Sequence, residues 1–191
     1  MNNKQTKALL LQKLYESYQN CTPCPLGTPG KHNVVFGQGN IDAQLMFIGE
    51  APGKDEDEQG VPFVGRSGKF LTKILTSLGI NRKDIFITNT VKCRPPQNRK
   101  PTSLEIKTSK DNLLIHQINI IKPKVICTLG STAIEALFEK PVKISEIHGT
   151  PLLFDSITVI PTYHPAYIMR TLKKLDSFIK DIQTAYSISK Q

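Results

Sequence analysis

The side chains best suited to chemistry in this 191-residue sequence stand just after short apolar segments. Glu50 lies in a turn of sequence GEAPG at residues 49–53, Asn89 stands late in a second apolar segment, and His164 follows a third. Two glycines and a proline make a tight turn whose backbone N–H groups can hold an anion or the edge of a nucleobase. An Asn amide offers a donor and an acceptor side by side. Each motif alone is equally compatible with an ordinary turn.

An aromatic ring and several basic residues accompany these groups. Phe63 lies in the segment PFVGRSG at residues 62–68, where its ring could stack on a base or anchor the loop in the core. Basic side chains that would suit phosphate contacts follow Asn89. They are Lys92, Arg94 and Arg99.

The segment after His164 combines apolar and basic residues. Ile168 and Met169 could push into a stack of bases while Arg170 grips a phosphate. A histidine beside a proline is commonly structural, but this one stands where a parallel sheet would place a binding site.

The cysteines indicate a metal or redox site. Cys21 and Cys24 form a Cys-x-x-Cys pair, a spacing that in intracellular proteins is mostly metal-binding or redox-active. A thioredoxin-like motif would follow a strand and open a helix, whereas this pair follows a predicted helix and leads into a loop. Cys127 lies inside the apolar segment KVICTLG and is interpreted as a small buried hydrophobe.

Composition and charge bound the class of protein. The net charge of +9 and the pI near 9.4 are compatible with a polyanionic partner such as nucleic acid. Mean hydropathy is −0.23, and no segment approaches the roughly 20 apolar residues of a membrane span. The N-terminal segment lacks the pattern of a secretory signal, so we expect a cytoplasmic protein. Its length predicts one domain over residues 1–191.

Hydrophobic periodicity predicts strands that alternate with helices. The strands fall at residues 43–48, 84–91, 124–128 and 159–162, with a polar loop at 49–66. The helices fall at residues 5–19, 67–78, 103–121, 131–140 and 173–188. Such alternation predicts a parallel sheet covered on both faces, with ligands bound at the carboxyl ends of its strands.

Four segments together resemble the family 4 uracil-DNA glycosylases, the iron–sulfur branch of that superfamily. They are CTPCPLG (21–27), GEAPGKDEDEQGVPFVGRSG (49–68), NTVKCRPPQNRKPT (89–102) and HPA (164–166). The resemblance implies a three-layer α/β/α sandwich around a four-stranded parallel sheet. It also implies a monomeric base-excision-repair hydrolase that flips uracil out of DNA and leaves an abasic site.

The resemblance implies a role for each site residue. Glu50 would orient the water and His164 would donate to uracil O2, while Asn89 matches the N3–H and O4 of the base. Uracil binding is predicted for Gly49, Ala51, Pro52, Glu56, Phe63 and Asn89. DNA contacts are predicted for Arg66, Lys92, Arg94, Arg99, Ile168, Met169 and Arg170. The acidic loop suggests Glu56 as the block against the 5-methyl group of thymine.

The resemblance also implies a structural [4Fe–4S] cluster, and here the sequence departs from its family. Cys21, Cys24 and Cys93 match three ligands, but Ser109 stands where the fourth cysteine is expected. Serine oxygen is a harder donor that must lose its proton to ligate iron. Two other interpretations stay open: a nucleic-acid-binding domain without turnover, and a zinc-binding α/β module.

Overall fold

A mixed six-stranded sheet crosses the centre of the computed structural model, which describes residues 3–19, 25–26 and 33–191. The strands are β1 (Gln38–Gly39), β2 (Leu45–Gly49), β3 (Phe86–Asn89), β4 (Val125–Leu129), β5 (Leu152–Phe154) and β6 (Ile157–Thr162). They lie in the order β1-β3-β2-β4-β6-β5. The four central strands are parallel, as predicted, and β1 and β5 add short antiparallel edges.

Helices cover both faces of the sheet. They are α1 (Asn3–Tyr18), α2 (Lys54–Gln59), α3 (Arg66–Ser77), α4 (Ser103–Ser109), α5 (Ile115–Ile121), α6 (Ser131–Phe138), α7 (Ile144–Ile147), α8 (Pro165–Ile168) and α9 (Leu175–Ser189). A π-helical segment, Lys110–Leu114, joins α4 to α5, and 3₁₀ turns lie at Pro96–Asn98 and Leu172–Lys174. The described residues therefore form the expected three-layer α/β/α sandwich.

Alternation along β2 divides the core between the two faces. Leu45 and Phe47 pack in one buried cluster with residues of α3 and α9, such as Leu71 and Phe178. Met46 and Ile48, on the opposite face of the strand, pack in a second cluster with residues of α1, α5 and α6. Because the central strands are covered on both faces, they are buried and mostly apolar, without a regular alternation of apolar and polar residues.

The structure corrects two details of the predicted elements. Helix α2 occupies part of the predicted loop at 49–66, and Glu56 in its first turn accepts from the backbone N–H of Gly53, the residue before the helix. The predicted helix at 103–121 is interrupted by the π-helical segment that begins directly after Ser109. Within the described residues, no helix is long and apolar enough to cross a membrane.

Candidate active site

The carboxyl ends of β2, β3, β4 and β6 open into a cleft of about 770 Å³. Its lining includes Glu50, Phe63, Asn89 and His164, which come from four separate segments of the chain. The strand register brings the first segments together, because Gly49 at the end of β2 pairs with Asn89 at the end of β3. The sheet thus gathers the residues that the sequence predicted for the site.

Asn89 presents an unsatisfied acceptor in this cleft. Its side chain belongs to a residue only 1 % exposed, and its Oδ1 has no hydrogen-bond partner. A Cβ atom at Gly49 would lie 2.4 Å from that Oδ1 and 2.5 Å from Cζ of Phe63. Only glycine at position 49 therefore leaves room for both the Asn89 amide and the Phe63 ring. A buried acceptor left unpaired costs about 1–3 kcal/mol, which a ligand N–H group would recover.

Phe63 holds its ring against the site through an unusual backbone conformation. Its φ of +53° lies in the left-handed region, which a bulky residue seldom adopts. The ring centroid is 6.1 Å from that of His164, with an angle of 34° between the planes. A Cβ at Gly68 would lie 2.0 Å from the Phe63 carbonyl carbon, so α3 can approach this loop only because Gly68 lacks one.

His164 is held neutral and in one tautomer. Burial, with a contribution from the positive charge of Arg170, lowers the pKa of His164 from 6.5 to about 4. The backbone N–H of Ala166 donates to its Nδ1 across 3.2 Å. Because Nδ1 accepts, the single proton of the neutral ring resides on Nε2, which is then a donor.

Glu50 is oriented by the start of helix α6. The hydroxyl of Thr132 donates to Oε2 of Glu50 in a short hydrogen bond. Thr132 is the second residue of α6, and the positive end of a helix dipole favours a carboxylate. One oxygen of Glu50 is thus fixed by this hydroxyl. The neighbouring Ala51 and Pro52 also line the cleft.

Comparison with known proteins matches the sequence to one family. Residues 36–185 match the model of the uracil DNA glycosylase superfamily. A type-4 uracil-DNA glycosylase of Thermotoga maritima is 42 % identical over 192 residues, covering 97 % of this chain and 98 % of that protein. The chain belongs to the type-4 uracil-DNA glycosylases. A second type-4 uracil-DNA glycosylase, from Pyrobaculum aerophilum, is 42 % identical over 90 % of this chain and 91 % of its own length.

A relative of another kind marks how widely the fold is used. A DNA polymerase of Bacillus phage SP01 is 31 % identical over 80 % of this chain, which corresponds to 16 % of the phage protein. A segment of this phage polymerase is therefore similar in sequence to most of this chain. The far greater coverage of the type-4 glycosylases separates the chain from that group.

Glu56, predicted to exclude thymine, has a second task in the structure. Its Oε1 accepts from the backbone N–H groups of Val64 and Gly65 at 3.0 and 2.8 Å. Its Oε2 accepts from the N–H of Gly53 at 3.1 Å. The carboxylate therefore ties the GEAPG turn to the loop that follows Phe63. Exclusion of thymine by Glu56 stays a prediction.

The predicted DNA contacts fall into three groups. Arg66 and Arg170 are exposed beside the cleft, and Met169 between them is half-buried. Arg94 donates to the side chain of Asn98 at 2.7 Å. Arg99 forms a bidentate ion pair with Glu105 at 2.8 and 2.6 Å, which lowers the pKa of that carboxyl. Both arginines stay near the rim, but partners within the protein already constrain them.

The structure contradicts two of the predicted DNA contacts. Lys92 is 1 % exposed, and its Nζ donates to Thr88 Oγ1 and to the Asn89 carbonyl, both at 2.6 Å. Burial lowers the pKa of Lys92 well below its usual value, and no phosphate can reach it. Ile168 is 0 % exposed within the core cluster shared by α3 and α9, so it cannot enter a base stack.

The described part of the predicted cluster site comprises Cys93 and Ser109. Cys93 is buried in a small cluster with Leu26 and Val91, against which Ile106 of α4 packs. The hydroxyl of Ser109 is buried and donates to the Thr90 carbonyl across 2.9 Å. Cys21 and Cys24 lie outside the described residues. Among those that are described, no group of three His, Cys, Asp or Glu side chains could hold a metal ion.

Two residues that support the site from outside the cleft carry no signal that sequence reasoning could use. Thr132 is one of several hydroxyl residues near a helix start, and only the fold brings it to Glu50. Arg82 follows α3 in a polar segment typical of exposed surface. Its guanidinium nevertheless bonds to the backbone of Phe63.

Proposed function

We propose that this protein excises uracil from DNA by hydrolysing the N-glycosidic bond, which leaves an abasic site. The observation that carries the proposal is the buried, unpartnered Oδ1 of Asn89 beside Phe63 and a neutral His164. That acceptor suits the N3–H of uracil, while the amide N–H₂ suits O4. Cytosine carries an acceptor at N3 and an amino group at position 4, so it would meet the amide with the wrong polarity.

The target base must leave the duplex to reach this cleft. Phe63 would replace the stacking that the flipped base loses, and Asn89 would replace its base pair. The cleft is larger than one base, which leaves room for the attached sugar. Catalysis then requires that the protein bind the departing uracil, which carries negative charge, more strongly than it binds the neutral base before the reaction.

The Nε2 proton of His164 supplies that stabilisation. As the glycosidic bond lengthens, charge develops on uracil O2 and the hydrogen bond from a neutral imidazole strengthens. A fixed donor of this kind is typically worth about 3 kcal/mol, or roughly a hundredfold in rate. The carboxylate of Glu50, oriented by Thr132, would position the water that attacks the sugar.

The wedge that enters the base stack requires apolar residues at the surface. Because Ile168 is buried, we assign this task to the exposed residues that flank Arg170. Leu172 is 65 % exposed and Tyr167 is 39 % exposed, with the Tyr167 ring stacked on Tyr163 at 5.4 Å between centroids. Arg170 between them is free to hold a phosphate.

We further propose that Cys21, Cys24 and Cys93 hold a [4Fe–4S] cluster. Thiolates are the donors that iron–sulfur clusters prefer, and the packing of Leu26 beside Cys93 brings the segment after Cys24 to this place. Such a cluster would brace the DNA-contacting loops and take no part in hydrolysis. Ser109 would lie near the fourth iron, but its hydroxyl must break its hydrogen bond to the Thr90 carbonyl before it can ligate that iron.

Strand cleavage tests the proposed activity. An oligonucleotide with one uracil, incubated with the protein and then treated with alkali, should break at that position. The same oligonucleotide with thymine or cytosine there should stay intact. An intact uracil strand after incubation with folded, cluster-loaded protein would leave only nucleic-acid binding, the alternative function.

A further inference from the structure

We infer that Arg82 is a positioning residue that fixes the Phe63 ring for stacking on the base. The inference rests on the proposed function, since it concerns the pocket that would receive uracil. Arg82 lies beyond the end of α3 and does not line the cleft, so any effect on the base must pass through Phe63.

The guanidinium of Arg82 bonds to the backbone carbonyls on both sides of the Phe63 Cα atom. Nη1 donates to the Phe63 carbonyl at 2.9 Å, and Nη2 donates to the Pro62 carbonyl in a short hydrogen bond. Nη1 also donates to Thr72 Oγ1 of α3 at 2.9 Å. Arg82 is half-buried, and this burial lowers the pKa of its guanidinium, which the charge of Glu56 partly offsets.

Glu56 binds the two amides that directly follow Phe63. Its Oε1 accepts from the N–H groups of Val64 and Gly65, the two residues after Phe63. A cation therefore binds the carbonyls of residues 62 and 63, and an anion binds the amides of residues 64 and 65. The two side chains come from opposite flanks of the loop and together specify its conformation.

This double restraint accounts for the positive φ of Phe63. A non-glycine residue in such a region costs on the order of 1–3 kcal/mol and persists only where surrounding contacts determine the conformation. Arg82 supplies contacts that a relaxed loop would lose. Without them, Phe63 can return to a negative φ, and its ring then leaves the face opposite His164.

The test measures binding of free uracil and cleavage of uracil-DNA by Arg82→Met. Methionine keeps much of the length and removes the donors. We expect the affinity for uracil and the single-turnover rate each to fall about tenfold, within the range of base–aromatic stacking. The neighbouring exposed Lys83 gives the matched control, and Lys83→Met should leave both values unchanged.

A double-mutant cycle separates positioning from general damage to the fold. In a Phe63→Ala background, Arg82→Met should have almost no further effect on uracil affinity, because the ring it positions is gone. The same tenfold loss in both backgrounds would overturn the inference, as would an unchanged affinity of Arg82→Met in the parent.

Arg82→Lys keeps the cycle usable if the methionine variant fails to fold. A lysine can reach one carbonyl, so its uracil affinity should lie between those of the parent and Phe63→Ala. A value equal to the parent would contradict the inference. Uracil affinity needs no turnover, so a parent that binds uracil without cleaving DNA would overturn the proposed function alone.

Discussion

The backbone N–H of Ala166 donates to Nδ1 of His164, and this bond decides which nitrogen of the ring carries its proton. Ala166 and His164 are two residues apart at the start of α8, where Pro165 occupies the first helical position. The cap that begins the helix thus also prepares the imidazole as an Nε2 donor. Burial keeps the ring neutral, with a pKa of about 4.

The contribution of His164 should be independent of pH from 5 to 8. A histidine with a pKa of about 4 stays neutral over this whole range, so its donor is always present. The ratio of single-turnover rates for the parent and His164→Ala should therefore remain on the order of 100 at each pH. A ratio that changes with a midpoint near 6.5 would show that the ring titrates as an ordinary exposed histidine.

Asn89→Asp should weaken the selection of uracil in favour of cytosine. The substitution replaces the amide donor with an acceptor, which can receive the amino group of cytosine. Cleavage of matched oligonucleotides containing uracil or cytosine at one position measures the change. Asn89 does not read the base if the variant cuts uracil-DNA as well as the parent and ignores cytosine.

Thr132→Val should lower the single-turnover rate about tenfold while DNA binding stays within a fewfold of the parent. Valine matches the shape of threonine but removes the hydroxyl that orients Glu50, and one hydrogen bond to a charged group is worth roughly 1.5–3 kcal/mol. Thr132→Ser retains the hydroxyl and provides the control. Equal rates for the valine and serine variants would show that Glu50 needs no such support.

Leu172→Ala should slow cleavage of uracil in duplex DNA more than in single-stranded DNA. Only a duplex requires a stack to be opened, which costs a few kcal/mol. Leu153→Ala on edge strand β5 removes an equally exposed leucine (68 %) that the wedge assignment does not involve. If Leu172→Ala slows both substrates equally, Leu172 is not the wedge.

If the proposed cluster is present, serine in place of cysteine at position 109 should leave one of its irons less firmly bound. Anaerobically purified protein should contain about four irons per chain, and air should convert the cluster to a three-iron form. Ser109→Cys should slow this conversion, because a thiolate replaces a hydroxyl that is bonded to the Thr90 carbonyl. Electron paramagnetic resonance follows the three-iron species. Soluble, active protein without iron would show that the fold has abandoned the cluster.

The sequence predicts the strands and the residues that directly follow them. Asn89 and His164 each end an apolar run, and a parallel sheet brings such ends together, so their meeting in one cleft could be anticipated. Exposure was harder to predict. Lys92 and Ile168 stand in polar or mixed segments, and only the packing of the completed fold shows that both are buried.

Contacts between distant segments set the other limit of prediction. The bond from Arg82 to the Phe63 carbonyl spans 19 residues, and that from Thr132 to Glu50 spans 82. No local pattern encodes either partner. The positive φ of Phe63 could not be predicted from the sequence either, because a bulky aromatic residue seldom adopts that conformation.

Release of free uracil from DNA is the direct measure of glycosidic-bond hydrolysis by this protein. Uracil-containing DNA is incubated with excess protein, and the small-molecule fraction is separated by chromatography. One free uracil and one abasic site should appear for each uracil position, with release slowed on the order of 100-fold in His164→Ala. DNA that is bound but yields no free uracil, or equal release by the parent and His164→Ala, would contradict the proposed mechanism.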